Sequence, residues 1–187
     1  MSRFVVVSGL PASGKSTVGH LIADGLGLPL LDKDVVLESL FERVTPTDVQ
    51  GRNELSRVAD DMFQAQAVAA TGGVLVSWWR HPRSTVESGT TTMWLASLPG
   101  ALVEVHCLCV PLVAAKRFLA CKRHPGHLDG QRTLDQLLVQ FNQHAARGSL
   151  GIGSLVEVRT DEAINTTVLL GKVDQAFDAL RHAQPAA

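Results

Sequence analysis

The chain has 187 residues, 45% of them apolar and 19% charged, a balance that suits one compact domain with a sizeable core and excludes a disordered or disulfide-stapled chain. A formal charge of −1 gives no overall basic field of the kind that holds nucleic acid or an anionic membrane, so neither partner is expected. No stretch is long and apolar enough to span a bilayer, and the start runs into a strand-like segment without a basic region or cleavage site; a cytoplasmic location is the expectation.

Arg3 to Ser8 is a β-branched and aromatic run, the pattern of a strand buried on both faces of a parallel sheet. A loop of small residues follows, and from Lys15 to Gly25 the positions Val18, Leu21 and Ile22 recur at helical spacing. Leu28 to Leu31 reads as a second strand ending in Asp32-Lys33-Asp34, followed by a helical pattern through Val35, Leu37, Leu40 and Phe41. Leu55 to Ala70 is a helix, Val74 to Val76 a third strand, Arg83 to Thr92 irregular, and Thr92 to Ser97 a short helix. Leu102 to Val110 is a fourth strand, in which Cys107 and Cys109 alternate as small buried apolar residues rather than metal ligands. Pro111 opens a helix to about Arg123, Thr133 to Ala146 is another, Leu155 to Val158 a fifth strand, and Thr166 to His182 the last helix. Five apolar strands alternating with helices call for an α/β three-layer fold with a parallel sheet, one domain over residues 1–187.

Gly9, Gly14, Lys15 and Ser16 match G-x-x-x-x-G-K-[ST], the P-loop pattern, between a buried strand and an amphipathic helix. Glycines let the backbone curl around an anion, successive amides and the helix N-terminus supply positive potential, and the lysine reaches the outer phosphates. Gly9, Ala12, Ser13, Gly14, Lys15, Ser16 and Thr17 are therefore the candidate ATP-binding residues, with the Ser16 hydroxyl available to Mg²⁺. Asp32 and Asp34 stand at the carboxyl edge of the second strand, where open α/β sheets place ligands. Two residues apart on an extended segment, they point the same way. Asp32 is assigned to Mg²⁺ through water and Asp34 to an acceptor hydroxyl, as orienting group or general base; the bland alternative is a solvated strand end with Asp34 capping the next helix.

The run GLPASGKSTVGHLIADGLGLPLLDKD resembles the opening of shikimate kinase and its relatives, including gluconate kinase, chloramphenicol phosphotransferase, zeta-toxin kinases and polynucleotide-kinase-like enzymes. The resemblance is close over about the first 35 residues and implies a Mg-ATP phosphotransferase with a P-loop NTPase fold, sheet order 2-3-1-4-5 and a mobile helical lid. It implies that Asp34 contacts the acceptor hydroxyl. The third strand ends VLVSWWRHP, without the glycine triplet expected of shikimate kinase, which argues against shikimate as the acceptor. Ser77 stands where a Walker B carboxylate would end that strand.

The lid is expected at residues 112–135, where Arg117 and Arg123 are candidates to stabilise phosphoryl charge and exclude water. Arg123 is assigned to the transferring phosphate and Arg117 to the nucleotide. Trp78 and Trp79 sit at the same sheet edge; one is expected in the core and the other as a wall for a ring-shaped or apolar acceptor. Arg52 and Arg80 are further candidate substrate contacts. The reading is an ATP- and Mg²⁺-dependent kinase of a small-molecule hydroxyl, a metabolite or an antibiotic, acting as monomer or homodimer. Two rivals remain open: a polynucleotide 5′-hydroxyl kinase, and a regulatory ATPase without a small-molecule acceptor.

Overall fold

The computed structural model describes residues 2–130 and 132–183; Met1, Gln131 of the expected lid and residues 184–187 lie outside the described residues. In chain order the elements are β1 (Arg3–Gly9), α1 (Lys15–Leu26), β2 (Leu30–Asp32), α2 (Lys33–Phe41), α3 (Val49–Ala69), β3 (Gly73–Val76), a 3₁₀ turn (Met93–Ser97), β4 (Ala101–Leu108), α4 (Pro111–Ala120), a 3₁₀ turn (Pro125–His127), α5 (Leu134–Ala145), β5 (Ser154–Arg159) and α6 (Thr166–Ala183). The strands form one parallel sheet in the order β2-β3-β1-β4-β5, the order the resemblance implies. β1 lies at its centre because its residues are apolar on both faces. Val5 and Val7 pack against Val18 and Ile22 of α1 and Val173 and Phe177 of α6. Phe4 and Val6 face the opposite layer, with Phe63 and Ala67 of α3. Each such side chain removed from water contributes about 1.5–3 kcal/mol.

Two smaller clusters carry the cleft walls: α4 joins α5 through Phe118 and Phe141, and α2 joins α3 through Leu37, Phe41 and Ala59. α1 approaches the sheet unusually closely. A Cβ on Gly19 would lie 2.6 Å from a Val76 methyl and 3.2 Å from a Leu30 methyl, so only glycine allows this contact.

Three differences from the sequence reading bear on the cleft. β2 runs to Asp32, and α2 begins at Lys33, so Asp34 is not on an extended segment beside Asp32. Asp32, rather than Asp34, is the N-cap: its Oδ1 accepts from the Asp34 amide at 2.9 Å. α3 starts six residues before Leu55, at Val49, because Asp48 caps it by accepting from the Gly51 amide at 2.7 Å; that first turn is polar and shows no apolar period. α4 ends at Ala120, leaving Lys122 and Arg123 in a loop over the sheet edge instead of on a helix.

Candidate active site

β1, β3 and β4 run in register, Val7 beside Val76 and Gly9 beside Cys107, so their carboxyl ends share one edge. The phosphate loop leaves from there. Gly9 has φ 136°, and a Cβ on it would lie 2.7 Å from the Cys107 carbonyl oxygen. Ala12, with φ 54°, holds a left-handed conformation that costs a non-glycine residue of order 1–3 kcal/mol, strain of the sort found at ligand clamps. Gly14, also left-handed, is the N-cap of α1, which places the unpaired first-turn amides of α1 at the loop. Ser13 is buried behind the loop, and its hydroxyl has no hydrogen-bond partner among the described residues.

Lys15 folds back over the loop, donating to the carbonyls of Leu10 at 2.7 Å and Gly9 at 3.3 Å, with its ammonium 5.8 Å from the Trp78 ring centroid. Burial lowers its pKa, against the pull of Cys107, Asp34 and Asp32. Ser16 Oγ donates to Asp32 Oδ2 at 3.0 Å. Desolvation pushes the Asp32 carboxyl above its ordinary range, while the Asp34 amide pulls it down. A hydroxyl and a carboxylate are hard oxygen donors, and the carboxylate is short of positive charge; both features fit Mg²⁺.

Lys15, Ser16, Thr17, Ala12 and Gly14 line one end of a cleft of about 750 Å³; Asp34, Arg52, Trp78, Arg117 and Arg123 line the rest. Seven lysines and arginines face four carboxylates in it, a local basicity hidden by the near-neutral chain. Arg123 bridges two of the carboxylates, 3.0 Å from Asp34 Oδ2 and 2.5 Å from Asp129 Oδ2. Its loop is pinned to α2 by His127, whose Nε2 lies 2.9 Å from Glu38 Oε1 and whose ring packs edge-on against Phe41. Arg117 donates to the Thr160 carbonyl at 2.9 Å, tying α4 to the segment after β5.

The tryptophan pair separates. Trp79 is core: its Nε1 donates to the Val7 carbonyl at 2.9 Å and its ring meets Phe63. Trp78 faces the cleft, edge-on to His144. Arg52 projects from the early turn of α3 with its Nε buried and unpartnered among the described residues; burial lowers its pKa and nearby Asp129 opposes this. Arg80, a candidate substrate contact by sequence, is not part of the cleft lining: its amide donates to the Thr90 carbonyl at 2.7 Å, and its Nε is buried without a partner among the described residues. Gly9 and Ser13 also stand behind the lining rather than in it.

Lys33 received no role from the sequence. It is buried in the cleft wall, 2.8 Å from Asp60 Oδ1 and 3.0 Å from Ser56 Oγ, and Asp60 accepts from Thr90 at 2.6 Å. Ser77, where a Walker B carboxylate would stand, spends its hydroxyl on Thr90 at 2.5 Å. A charged residue between two aspartates was the only local sign of this network. His124, His127 and Asp129 hold the loop after α4 in place: His124 stacks on Phe41, His127 meets Glu38 and Asp129 holds Arg123.

Comparison with known proteins places this geometry. A model of the shikimate kinase family matches residues 11–105, about half of the chain. A shikimate kinase of Mycobacterium tuberculosis is 42% identical over 79 residues, which are 40% of this chain and 43% of that protein, so the chain's match spans less than half the length of such curated relatives. A provisionally assigned kinase from Chloroflexus aurantiacus superposes with a TM-score of 0.76 at 26% identity, covering 94% of this chain and 98% of the other. Shikimate kinase from Bacteroides thetaiotaomicron shares the fold, with a TM-score of 0.57 at 17% identity over 96% of this chain and 98% of its own. Among the described residues no helix is long and apolar enough to cross a membrane.

Proposed function

The chain belongs to the shikimate kinase family, and from that premise we propose that it transfers the γ-phosphoryl group of ATP to a hydroxyl of a small, anionic alcohol. The observation that carries the reading is the placement of Asp34: it lines the same cleft as the phosphate loop, its amide donates to the Asp32 carboxylate that also accepts from Ser16, and its own carboxylate is clasped by Arg123. Loop amides 12–17 and Lys15 would hold the triphosphate, Lys15 exchanging two carbonyl contacts for phosphate oxygens. Ser16 and Asp32 would hold Mg²⁺, which neutralises charge on the phosphate oxygens. Asp34 accepts the acceptor's hydroxyl hydrogen bond and takes its proton as the oxygen attacks phosphorus. Arg123, no longer needed by Asp34 at that moment, turns its guanidinium to the phosphoryl oxygens, and Arg117 closes α4 over the nucleotide.

The acceptor's anionic group is inferred from Arg52, a half-buried guanidinium with an unpartnered Nε in the wall, beside Asp34 and Arg123. Trp78 supplies an apolar wall where a glycine triplet would leave bare backbone, so shikimate is expected to be a poor acceptor. The test is an ADP-release screen over anionic alcohols with wild type and Asp34→Asn in parallel. Acceptor-stimulated turnover that vanishes in the variant supports the reading; ATP hydrolysis indifferent to every acceptor would favour a regulatory ATPase, and activity only on oligonucleotide ends a polynucleotide kinase.

A further inference from the structure

One buried charge has no part in the chemistry proposed above. Glu104 lies in the middle of β4, beside Val6 in register, and its carboxylate is wholly buried on the sheet face shared with Phe4 and Val6. Taking a carboxylate out of water is so unfavourable that an apolar residue of similar size is often as stable or more so, and packing alone gives no reason for this one. Its partners give the reason. Oε1 accepts from Ser8 Oγ at 2.6 Å and the Leu150 amide at 2.8 Å, and Oε2 from the amides of Gly151 at 3.0 Å and Ile152 at 3.3 Å. Three successive backbone N–H groups make an anion nest inside the protein.

The Ser8 hydroxyl has one hydrogen, given to Glu104, so it accepts from His106 Nδ1 at 2.8 Å. The order is carboxylate, hydroxyl, imidazole, and Ser8 is buried, so this is no nucleophile. Ser8 is, however, the residue before Gly9, whose missing side chain lets the loop press on the Cys107 carbonyl. Both residues at the base of the phosphate loop are thereby fixed sideways to β4. Glu104 also fixes the segment joining α5 to β5, and α5 carries His144 against Trp78, on which the Lys15 ammonium rests.

We propose that Glu104 is a positioning residue for the phosphate loop, acting through Ser8 on Gly9 and through the 150–152 amides on the segment after α5. The inference rests on the reading of residues 9–17 as a triphosphate site. Removing the Ser8 hydroxyl leaves Glu104 with three amide donors, so the fold survives while the lateral hold on the loop is lost.

Calorimetric titration of the full chain with Mg-ADP, alongside thermal melting, tests it. Ser8→Ala is expected to weaken ADP binding about tenfold, because the loop loses its sideways hold, while the lost bond to the carboxylate lowers the melting temperature by about 3–6 °C and leaves the chain folded. Ser8→Thr, which keeps the hydroxyl, is expected to restore affinity. Glu104→Gln should weaken binding similarly, and the double variant no further than either single change, because the two act as one unit. ADP affinity unchanged in Ser8→Ala, or losses that simply add in the double variant, would overturn the proposal even with the kinase reading intact. A wild-type chain that binds no ADP overturns both.

Discussion

The two ends of the cleft are built differently. The end proposed for the nucleotide comes mainly from one contiguous stretch, residues 9–17, with two left-handed turns in its backbone; Asp32 and Arg117 are the distant side chains assigned to it. The end proposed for the acceptor is assembled from α2, α3, the segment after β3 and the loop after α4, through side chains such as Asp34, Arg52, Trp78 and Arg123. Backbone amides present the same donors whatever the side chains, so on the proposed reading the first end would accept any nucleoside triphosphate; long side chains on four elements can be exchanged one at a time, so the second end would set which alcohol reacts. Changes at the two ends should accordingly separate in kinetics.

The largest separation is expected from Asp34→Asn, which should lower acceptor-dependent kcat by about 10²–10⁴-fold with nucleotide affinity unchanged, read by steady-state ADP release and by titration. Equal loss of nucleotide affinity would erase the distinction. Lys15→Met should act at the other end, lowering kcat/KM for ATP by about 10³-fold because a preorganised cation facing the phosphates is lost. Next comes Arg52→Gln: a rise in acceptor KM of about 10–100-fold with KM for ATP unmoved, the signature of one charge-assisted contact to the acceptor anion. The smallest effect concerns neither end. Burial lowers the pKa of His106, against Glu104, and of His144, so the folded chain holds fewer protons than the unfolded one below the ordinary value of 6.5. Stability should rise with pH through that window and be lost as pH falls below about 6.5, visible as a drop in melting temperature between pH 7 and 5. A melting temperature that climbs on acidification would show these imidazoles charged in the native state.

The same contrast explains what could be read in the sequence. The phosphate loop is legible because its requirements are local: glycines at fixed offsets, a lysine, a hydroxyl, and an apolar strand and helix on either side. The sheet order follows from strand count and the resemblance. The acceptor end depends on contacts between residues far apart, as with Arg123 and Asp34 at a separation of 89, and no spacing rule announces them. Trp78 and Trp79 are adjacent and identical, and their opposite fates follow from a hydrogen bond to Val7 on another strand. Arg80 is as basic as Arg52, yet only Arg52 lies on a helix that turns it into the cleft. Glu104 reads as a polar position in an apolar strand; the three amides that justify it belong to a segment some 46 residues later.

Gly19 ties the core to the ligand. One turn after the phosphate loop, α1 lies so near β2 and β3 that a single methyl would collide with Val76 and Leu30. The helix is a stiff rod, and a wedge at that point would lift its leading end as well as its middle. Gly19→Ala should therefore read as a rise in nucleotide Kd although residue 19 touches no phosphate: the thickness of the interior fixes how far the amides can reach.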